Sequence, residues 1–239
     1  MIPLSDNIAS RRVPYVTISL LIACIAVFIY EYLAPGFVQQ FAFRPAYVLS
    51  TDLFRVGPGM ALQTMILSMF MHGGLMHIGS NMLFLWVFGD NVEDRLGHFR
   101  FLVFYLVCGI VATLAHSLSA GFGLLYDPHS LDRAIVGASG AVAGVLGAYL
   151  VLFPHSSVRT LVIFFIITVI NVPAIFFIVL WFISQLFSGA GSLAGAPGGV
   201  AYWAHIGGFV IGFVWGKMVA SKPFRRPPPP RIMDLRMDD

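Results

Sequence analysis

The sequence predicts an all-α membrane protein with six membrane-spanning helices. Hydrophobic residues make up 58% of the 239 positions and charged residues only 10%, whereas charged residues account for about 25% of an average soluble domain. The mean hydropathy of +0.86 indicates the same apolar environment. In addition, the apolar residues are grouped into separate runs, most of them near the roughly 20 residues that a helix needs to cross the hydrocarbon core.

Six such runs follow one another along the chain. They are Val13–Leu33, Gly73–Phe88, Phe99–Leu118, Val136–Phe153, Val158–Phe187 and Ala201–Ala220. The second run is short because His77, Ser80 and Asn81 lower its hydropathy. The fifth run has 30 residues, with Asn171 and Pro173 in its middle. We expect a tilt, a kink at the proline or an extension into the interface to accommodate this excess length.

The connecting segments divide the chain into a helical domain and two termini. We predict a cytoplasmic N-terminus over 1–12, a six-helix domain over 13–220 and a cytoplasmic tail rich in Pro and Arg over 221–239. Within the domain, 34–72 forms a long outer loop, and its apolar stretch Met60–Met71 is too short to span and indicates an interfacial or re-entrant piece. The outer loop 188–200, rich in Gly, Ala, Ser and Pro, is predicted to be mobile.

Positive charges predict the orientation of the helices. If the N-terminus is cytoplasmic, three of the 14 Lys and Arg residues (Arg44, Arg55 and Arg133) fall on the outer side and all others on the cytoplasmic side. Because short cytoplasmic segments carry an excess of Lys and Arg, both termini are predicted to be cytoplasmic. The second, fourth and sixth helices then all begin at the outer face.

Polar residues lie near the outer ends of these three helices. His77 and Asn81 are in the second run, Ser139 is predicted about one turn into the fourth, and His205 about one turn into the sixth. At about 1.5 Å per residue, Ser139 and His205 reach a similar depth. Polar groups are costly in lipid and usually have a function there.

Small residues favour close contact between the fourth and sixth helices. Each helix has a small residue at every fourth position, and such stripes let helix backbones approach closely. The stripes are Gly140, Gly144 and Ala148 in the fourth helix and Gly208, Gly212 and Gly216 in the sixth. Close approach of these helices is what a hydrogen bond between a serine and a histidine on them requires.

A serine and a histidine in contact can hydrolyse a peptide bond. In this hypothesis His205 removes the proton of Ser139, and the serine oxygen attacks the carbonyl carbon. Asn81, His77 and the backbone N–H of Ser139 are available to stabilise the oxyanion. Since the sequence has no Asp or Glu at this depth, a Ser-His dyad is predicted rather than a triad, with no cofactor and no metal.

These residues resemble the rhomboid family of intramembrane serine proteases. The resemblance extends from the first helix to the sixth, and it rests on segments in three helices and one loop. They are the segment from His72 to Asn81, Gly137-Ala-Ser139-Gly140, Ala204-His205-Ile-Gly-Gly208 and the loop Glu93-Asp-Arg95-Leu-Gly97. It implies a six-helix rhomboid bundle that cuts single-pass membrane proteins near the outer face, with gating by the fifth helix and the loop 188–200.

The resemblance also implies roles for individual residues. Ser139 is the nucleophile, His205 is the general base, and Asn81 with His77 stabilises the oxyanion. From the residues themselves, His72 is a possible supporting residue, with a structural bond as the alternative, and Gly137 and Gly140 leave the backbone beside Ser139 unshielded. Many rhomboids have a tyrosine four residues after the nucleophile, stacked on the histidine. Here that residue is Ala143, so another group must position the His205 ring.

Functions other than proteolysis would require different sets of residues. A catalytically inactive rhomboid-like protein that binds membrane clients usually lacks the serine or the histidine, and this chain has both. A haem or metal protein would use histidines such as His72, His77, His116 and His205. A transporter is disfavoured because the predicted spans carry little charge, and nucleic acid is not an expected partner. The expected location is a prokaryotic inner membrane, with an organelle membrane as the alternative.

Overall fold

The computed structural model describes residues 1–163, 167–194 and 200–221, which contain ten α-helices, one short 3-10 helix (Ser130–Asp132) and three strands. The helices are α1 (Tyr15–Leu33), α2 (Phe37–Phe41), α3 (Ala46–Leu49), α4 (Asp52–Val56), α5 (Pro58–Ser68), α6 (Leu75–Leu96), α7 (His98–Gly123), α8 (Ser139–Leu152), α9 (Ala174–Leu193) and α10 (Tyr202–Ala220). The strands are β1 (Ile2–Asp6), β2 (Ser157–Ile163) and β3 (Ile167–Pro173). Five of the six predicted helices are found within a few residues of their predicted starts.

The chain is an integral multi-pass membrane protein. Within the described ranges, α1, α7, α9 and α10 are long and apolar enough to cross a membrane. The 22 residues of α6 are sufficient in length, but polar residues occupy both of its ends. Helix α8 is apolar and has only 14 residues. All its residues from Gly140 to Tyr149 are buried, because α6, α7, α9 and α10 surround it.

The fifth predicted helix is wrong in its first half. Residues 157–163 and 167–173 form the antiparallel strands β2 and β3, and α9 begins directly after Pro173. The run Val158–Phe187 is therefore a strand pair followed by a helix of 20 residues. This explains the excess length of the run. β-branched residues, which favour strands, dominate its first half, and Pro173 is suited to end a strand and to precede a helix. The all-α prediction is corrected accordingly.

The N-terminal segment 1–12 is part of the fold. Strand β1 pairs antiparallel with β2, with Ile2 opposite Leu161 and Asp6 opposite Val158, in the sheet order β1-β2-β3. The outer loop 34–72 contains α2 to α5, and the predicted re-entrant stretch coincides largely with α5. Helix α9 continues to Leu193, so the predicted loop 188–200 is helical in its first part, and 195–199 lie outside the described residues. The predicted tail lies outside them from 222 onwards.

A buried glutamate joins the start of α1 to the end of α6. The Glu93 carboxylate is 1% exposed and accepts hydrogen bonds from the backbone N–H groups of Val16 (2.9 Å) and Thr17 (2.7 Å). It also accepts one from the Thr17 hydroxyl (2.7 Å) and contacts His98 Nδ1 at 2.6 Å. The first N–H groups of a helix lack intrahelical partners. Glu93 therefore braces this end of the bundle.

Asp6 attaches the sheet to α6 and α8. Its carboxylate accepts hydrogen bonds from the Tyr149 hydroxyl of α8, from Asn91 Nδ2 of α6 (2.8 Å) and from the backbone N–H of Ile8 (3.2 Å). Burial raises the pKa of Asp6 from its ordinary value of 3.8, although the bond from Tyr149 opposes that shift. The structure thus favours the protonated carboxyl more than the unfolded chain does.

This shift predicts a pH-dependent stability. Between about pH 4 and the raised pKa of Asp6, the native state binds more protons than the unfolded state, so stability falls as pH rises and then levels off. We expect Asp6→Asn to lose this part of the dependence. The measurement is the thermal midpoint in detergent between about pH 4 and pH 7. Asp132→Asn, at a side chain 63% exposed, is the control, and parallel curves for wild type and Asp6→Asn would contradict the prediction.

Glycines allow α8 and α10 to lie in direct backbone contact. A Cβ on Gly208 would overlap the carbonyl oxygen of Gly140, and a Cβ on Gly212 would overlap that of Gly144. One turn further, a Cβ on Gly216 would be 3.0 Å from Cα of Ala148. The two small-residue stripes predicted from the sequence therefore meet pair by pair and are confirmed.

Candidate active site

The predicted polar residues of three helices line one cavity of about 920 Å³. Among its lining side chains are His77 and Asn81 from α6, His116 from α7, Ser139 from α8, Trp181 from α9 and His205 from α10. Residues distant in sequence are thus brought together at one end of the bundle. The cavity is large enough for several residues of an extended peptide.

Ser139 is the first residue of α8, and the prediction that it lies one turn inside the helix is wrong. The chain enters α8 through Gly137, whose φ of +122° is in the region that favours glycine. The Gly137 N–H donates to the Ser68 carbonyl of α5 at 2.9 Å, and Ile135 N–H donates to the Phe43 carbonyl at 2.8 Å. The long outer loop therefore holds the approach to Ser139 in place.

Gly137 also makes room for the His77 ring. A Cβ at this position would lie 2.7 Å from both Cε1 and Nε2 of His77 and 3.6 Å from Oγ of Ser139. The His77 ring edge and the serine oxygen therefore lie on the same side of Gly137. Any larger residue would displace one of them, so the supporting role predicted for Gly137 has a steric basis.

His205 is the fourth residue of α10 and is 9% exposed. It lies about one turn into its helix, as predicted. Its neighbour Ala204 contacts the residue after Ser139, because a Cβ on Gly140 would lie 3.6 Å from the Ala204 carbonyl oxygen. The backbones that carry the serine and the histidine are therefore adjacent. Gly140 supports the site through this helix contact.

Helix α9 supplies the groups around the His205 ring. Nδ1 of His205 is 2.8 Å from Oε1 of Gln185, which is 8% exposed. The Trp181 ring lies 5.8 Å from the His205 ring, centroid to centroid, with an interplanar angle of 33°. The sequence reasoning left open what replaces the tyrosine at Ala143 and missed both residues. A signal was present, because a glutamine inside an apolar helix is costly unless it has a partner.

Asn81 and His77 are one helical turn apart and are joined by a hydrogen bond. The buried Asn81 Nδ2 donates to the His77 carbonyl oxygen at 3.0 Å. His77 Nδ1 accepts from the Gly73 N–H at 3.3 Å. A neutral imidazole that accepts at Nδ1 carries its proton on Nε2. Nε2 of His77 is therefore a donor, as the oxyanion role requires.

His72 lies behind His77. Its ring packs edge-on against the His77 ring with centroids 5.3 Å apart, and its Nδ1 is 3.2 Å from the Phe70 carbonyl oxygen. Its backbone N–H donates to Glu31 at 3.1 Å. Burial lowers the pKa of His72 to about 4, and the nearby His77 adds to that shift. A neutral His72 that supports His77 fits this geometry.

The histidines of the metal hypothesis do not form a cluster of ligands in the described residues. In the part of the chain that the structure describes, no three His, Cys, Asp or Glu side chains come together in a way that could hold a metal ion. Nδ1 of His72 contacts the backbone carbonyl of Phe70, and Nδ1 of His205 contacts Oε1 of Gln185. The histidines named in that hypothesis are therefore divided among different contacts.

Apolar helices packed around a polar cavity define a multi-pass membrane protein with an internal site. Residues 60–222 match the Rhomboid domain family. The chain belongs to the rhomboid family, as the motifs around His77, Ser139 and His205 indicated.

Individual relatives agree with this assignment. The chain is 34% identical over 158 residues to Rhomboid protein 1, mitochondrial, of Saccharomyces cerevisiae, a match that covers 64% of this chain and 41% of the yeast protein. It is 28% identical to Rhomboid-type serine protease 2 of Emericella nidulans over 66% of this chain and 27% of that protein. It is 38% identical to Rhomboid protease GluP of Bacillus subtilis over 34% of this chain and 14% of the relative.

The matches span less than half of the length of each of these relatives. Two of the three are named as proteases, and the yeast protein is named as mitochondrial. One relative is bacterial and another is named mitochondrial, so these relatives do not support the predicted prokaryotic inner membrane.

Proposed function

We propose that this protein is an intramembrane serine endopeptidase that cleaves single-pass membrane proteins within or beside their transmembrane segments. The observation that supports this function most is the single cavity that Ser139, His205, Asn81 and His77 line together. A nucleophile, a base and donors for an oxyanion are the groups that peptide hydrolysis requires. Family membership and the protease names of two relatives support the same reaction.

In the proposed reaction Ser139 and His205 work as a dyad. His205 Nε2 takes the hydroxyl proton of Ser139 while Oγ attacks the carbonyl carbon of the substrate. The imidazolium then gives that proton to the leaving amine, and an acyl-enzyme remains. A water molecule, deprotonated by His205, attacks the ester, and the imidazolium returns that proton to the departing Ser139 oxygen, which releases the new carboxyl terminus and the free serine. Nδ1 of His205 contacts Gln185 throughout, so Nε2 is the nitrogen available as the base.

Charge develops on the carbonyl oxygen during both attacks. Nε2–H of His77, Nδ2 of Asn81 and the N–H of Ser139 are the proposed donors to that oxygen. The start of α8 suits this role, because the first N–H groups of a helix have no intrahelical acceptor and the helix dipole favours negative charge there. Donors fixed in advance in a low-dielectric site stabilise such a charge well.

The proposed topology is the six-span bundle with both termini in the cytoplasm. The 14 residues of α8 extend about 21 Å at 1.5 Å per residue, which is shorter than the roughly 30 Å hydrocarbon core. A helix that crosses only part of the core leaves Ser139 below the outer membrane surface. Substrates would therefore enter laterally from the bilayer and be cut near its outer face.

The direct test uses purified protein in liposomes with a labelled single-pass substrate. We expect cleavage without ATP and in the presence of a metal chelator, together with labelling of Ser139 by a fluorophosphonate probe. Mass spectrometry of the labelled peptide identifies the modified residue. A protein that binds the substrate but neither cleaves it nor reacts with the probe would be the inactive client-binding protein instead.

Asn81→Ala should lower kcat far more than it changes KM. Loss of one oxyanion donor costs about 10²- to 10³-fold in kcat, because the lost contact forms only in the transition state. The matched control is Ser80→Ala, since Ser80 also donates to the His77 carbonyl (3.0 Å). Steady-state cleavage rates check both variants. A normal kcat with a raised KM for Asn81→Ala would remove Asn81 from the oxyanion site.

A further inference from the structure

We infer that Gln185 is a positioning residue that holds His205 in the tautomer a general base requires. This inference rests on the proposed function, since it concerns the histidine of the dyad. Gln185 lies on α9 and His205 on α10, and Oε1 of the first is 2.8 Å from Nδ1 of the second. In Ser-His-Asp enzymes a carboxylate occupies the corresponding place, whereas here the partner is an uncharged amide.

The orientation of the Gln185 amide follows from its other contacts. Nε2 of Gln185 is 2.9 Å from Oγ of Ser184 and 3.3 Å from the carbonyl oxygen of Trp181. The Ser184 hydroxyl itself donates to the Trp181 carbonyl at 2.6 Å, so its oxygen is free to accept from the amide. Both neighbours of Nε2 thus act as acceptors. A flipped amide would leave its carbonyl oxygen facing the Trp181 carbonyl oxygen. In the observed orientation, both Nε2 and Oε1 of Gln185 have hydrogen-bond partners.

This orientation determines the protonation of His205. An amide oxygen can only accept a hydrogen bond, so the neutral imidazole donates from Nδ1. Nε2 of His205 then has a free lone pair. That lone pair is what a base needs in order to take the proton from Ser139, and the opposite tautomer could not do so.

Burial strengthens the influence of the Gln185 hydrogen bond on the His205 ring. Gln185 is 8% exposed and His205 is 9% exposed, so water competes little for either group. Leaving Nδ1 without a partner in such surroundings is costly. Trp181, one helical turn before Gln185, covers the ring with its indole at 5.8 Å. One face of α9 thus provides both the hydrogen bond and the aromatic contact, whereas Ala143 on α8 provides neither.

Kinetics of three variants test the inference. Gln185→Leu removes the acceptor at similar volume, Gln185→Glu keeps it, and Gln63→Leu changes an exposed glutamine of α5. We expect Gln185→Leu to lower kcat and the rate of fluorophosphonate labelling by about 10- to 100-fold, a part of the general-base contribution, with little change in KM. Gln185→Glu should recover much of this loss, and Gln63→Leu should behave as wild type.

Two outcomes of these kinetics would overturn the inference. One is a normal kcat for Gln185→Leu. The other is an equal loss for Gln185→Leu and Gln185→Glu, which would indicate a packing role that depends on the native residue rather than on an acceptor.

Nitrogen NMR of the wild-type protein in bilayers gives a readout that does not depend on catalysis. With ¹⁵N-labelled histidine, and with the His205 signal assigned from its loss in His205→Gln, we expect the proton on Nδ1. A proton on Nε2 would overturn the inference even in an active enzyme. If wild type neither cleaves nor reacts with the probe, the proposed function fails, while the NMR result still reports on Gln185.

Discussion

Replacing Ser139 with alanine should abolish cleavage while the fold remains intact. The side chain is half-buried and lines the cavity, so removal of its hydroxyl leaves no void in the packed core. Loss of a serine nucleophile lowers kcat by about 10⁶-fold in a well-studied serine protease. After such a loss, no cleavage should be detectable in a membrane assay. The thermal midpoint of the variant in detergent should match that of wild type.

A second serine in the same cavity provides the control. Ser119 also lines the cavity, but its hydroxyl donates to the His116 carbonyl within α7 at 2.7 Å. We expect Ser119→Ala to cleave normally and to react with the fluorophosphonate. His205→Ala should be as inactive as Ser139→Ala, and the double variant should lose no more activity, since the two groups act as a unit. Residual cleavage in Ser139→Ala near the wild-type rate would exclude the dyad.

Gly208→Ala should impair stability and activity together. The added methyl group would overlap the Gly140 carbonyl oxygen, which belongs to the backbone of α8 and cannot rotate away. The helices must separate, at a cost of about 1 to 3 kcal/mol, the range found for overpacking. Since Gly140 follows Ser139 and Gly208 lies near His205 on α10, the separation also moves the dyad apart. A displacement of about 1 Å can cost 10²-fold in rate.

The matched control for this prediction is another helical glycine. A Cβ on Gly79 of α6 would meet no atom within 4 Å, so Gly79→Ala should be neutral or slightly stabilising, given the higher helix propensity of alanine. Differential scanning fluorimetry in detergent and kcat for one substrate distinguish the two variants. If Gly208→Ala kept the wild-type midpoint and kcat, close contact of α8 and α10 would not be what holds the site together.

Local sequence patterns were sufficient to locate most helices and to single out most residues of the candidate site. The runs around Val13–Leu33 and Ala201–Ala220 lie within two residues of α1 and α10, because long apolar segments leave few alternatives to a helix. Ser139, His205, His77 and Asn81 were found because polar groups are conspicuous in such segments. Their order along helices that start at one face predicted that they would meet, and they line one cavity.

The fifth run shows where hydropathy is insufficient. Strands β2 and β3 are apolar enough to merge with the start of α9 into one run, and hydropathy measures transfer to lipid rather than backbone conformation. Pairing decided the outcome, since β2 gains hydrogen bonds from β3 and also from β1, which starts at residue 2. A partner more than 150 positions away in sequence leaves no local signal.

The sequence alone determined that this chain lies in a membrane, that its family is that of the rhomboids and that Ser139 and His205 are the residues to examine. Composition reports on membrane location because the free energy of transfer into lipid is set by individual side chains. Short motifs report on the site because its chemistry is set by residue types at single positions. Only the tertiary structure decided that Gln185 contacts His205 and that Gly137 makes room for His77. Those features are contacts between separate helices, and a change of a few tenths of an ångström in packing decides whether a hydrogen bond or a methyl group fits.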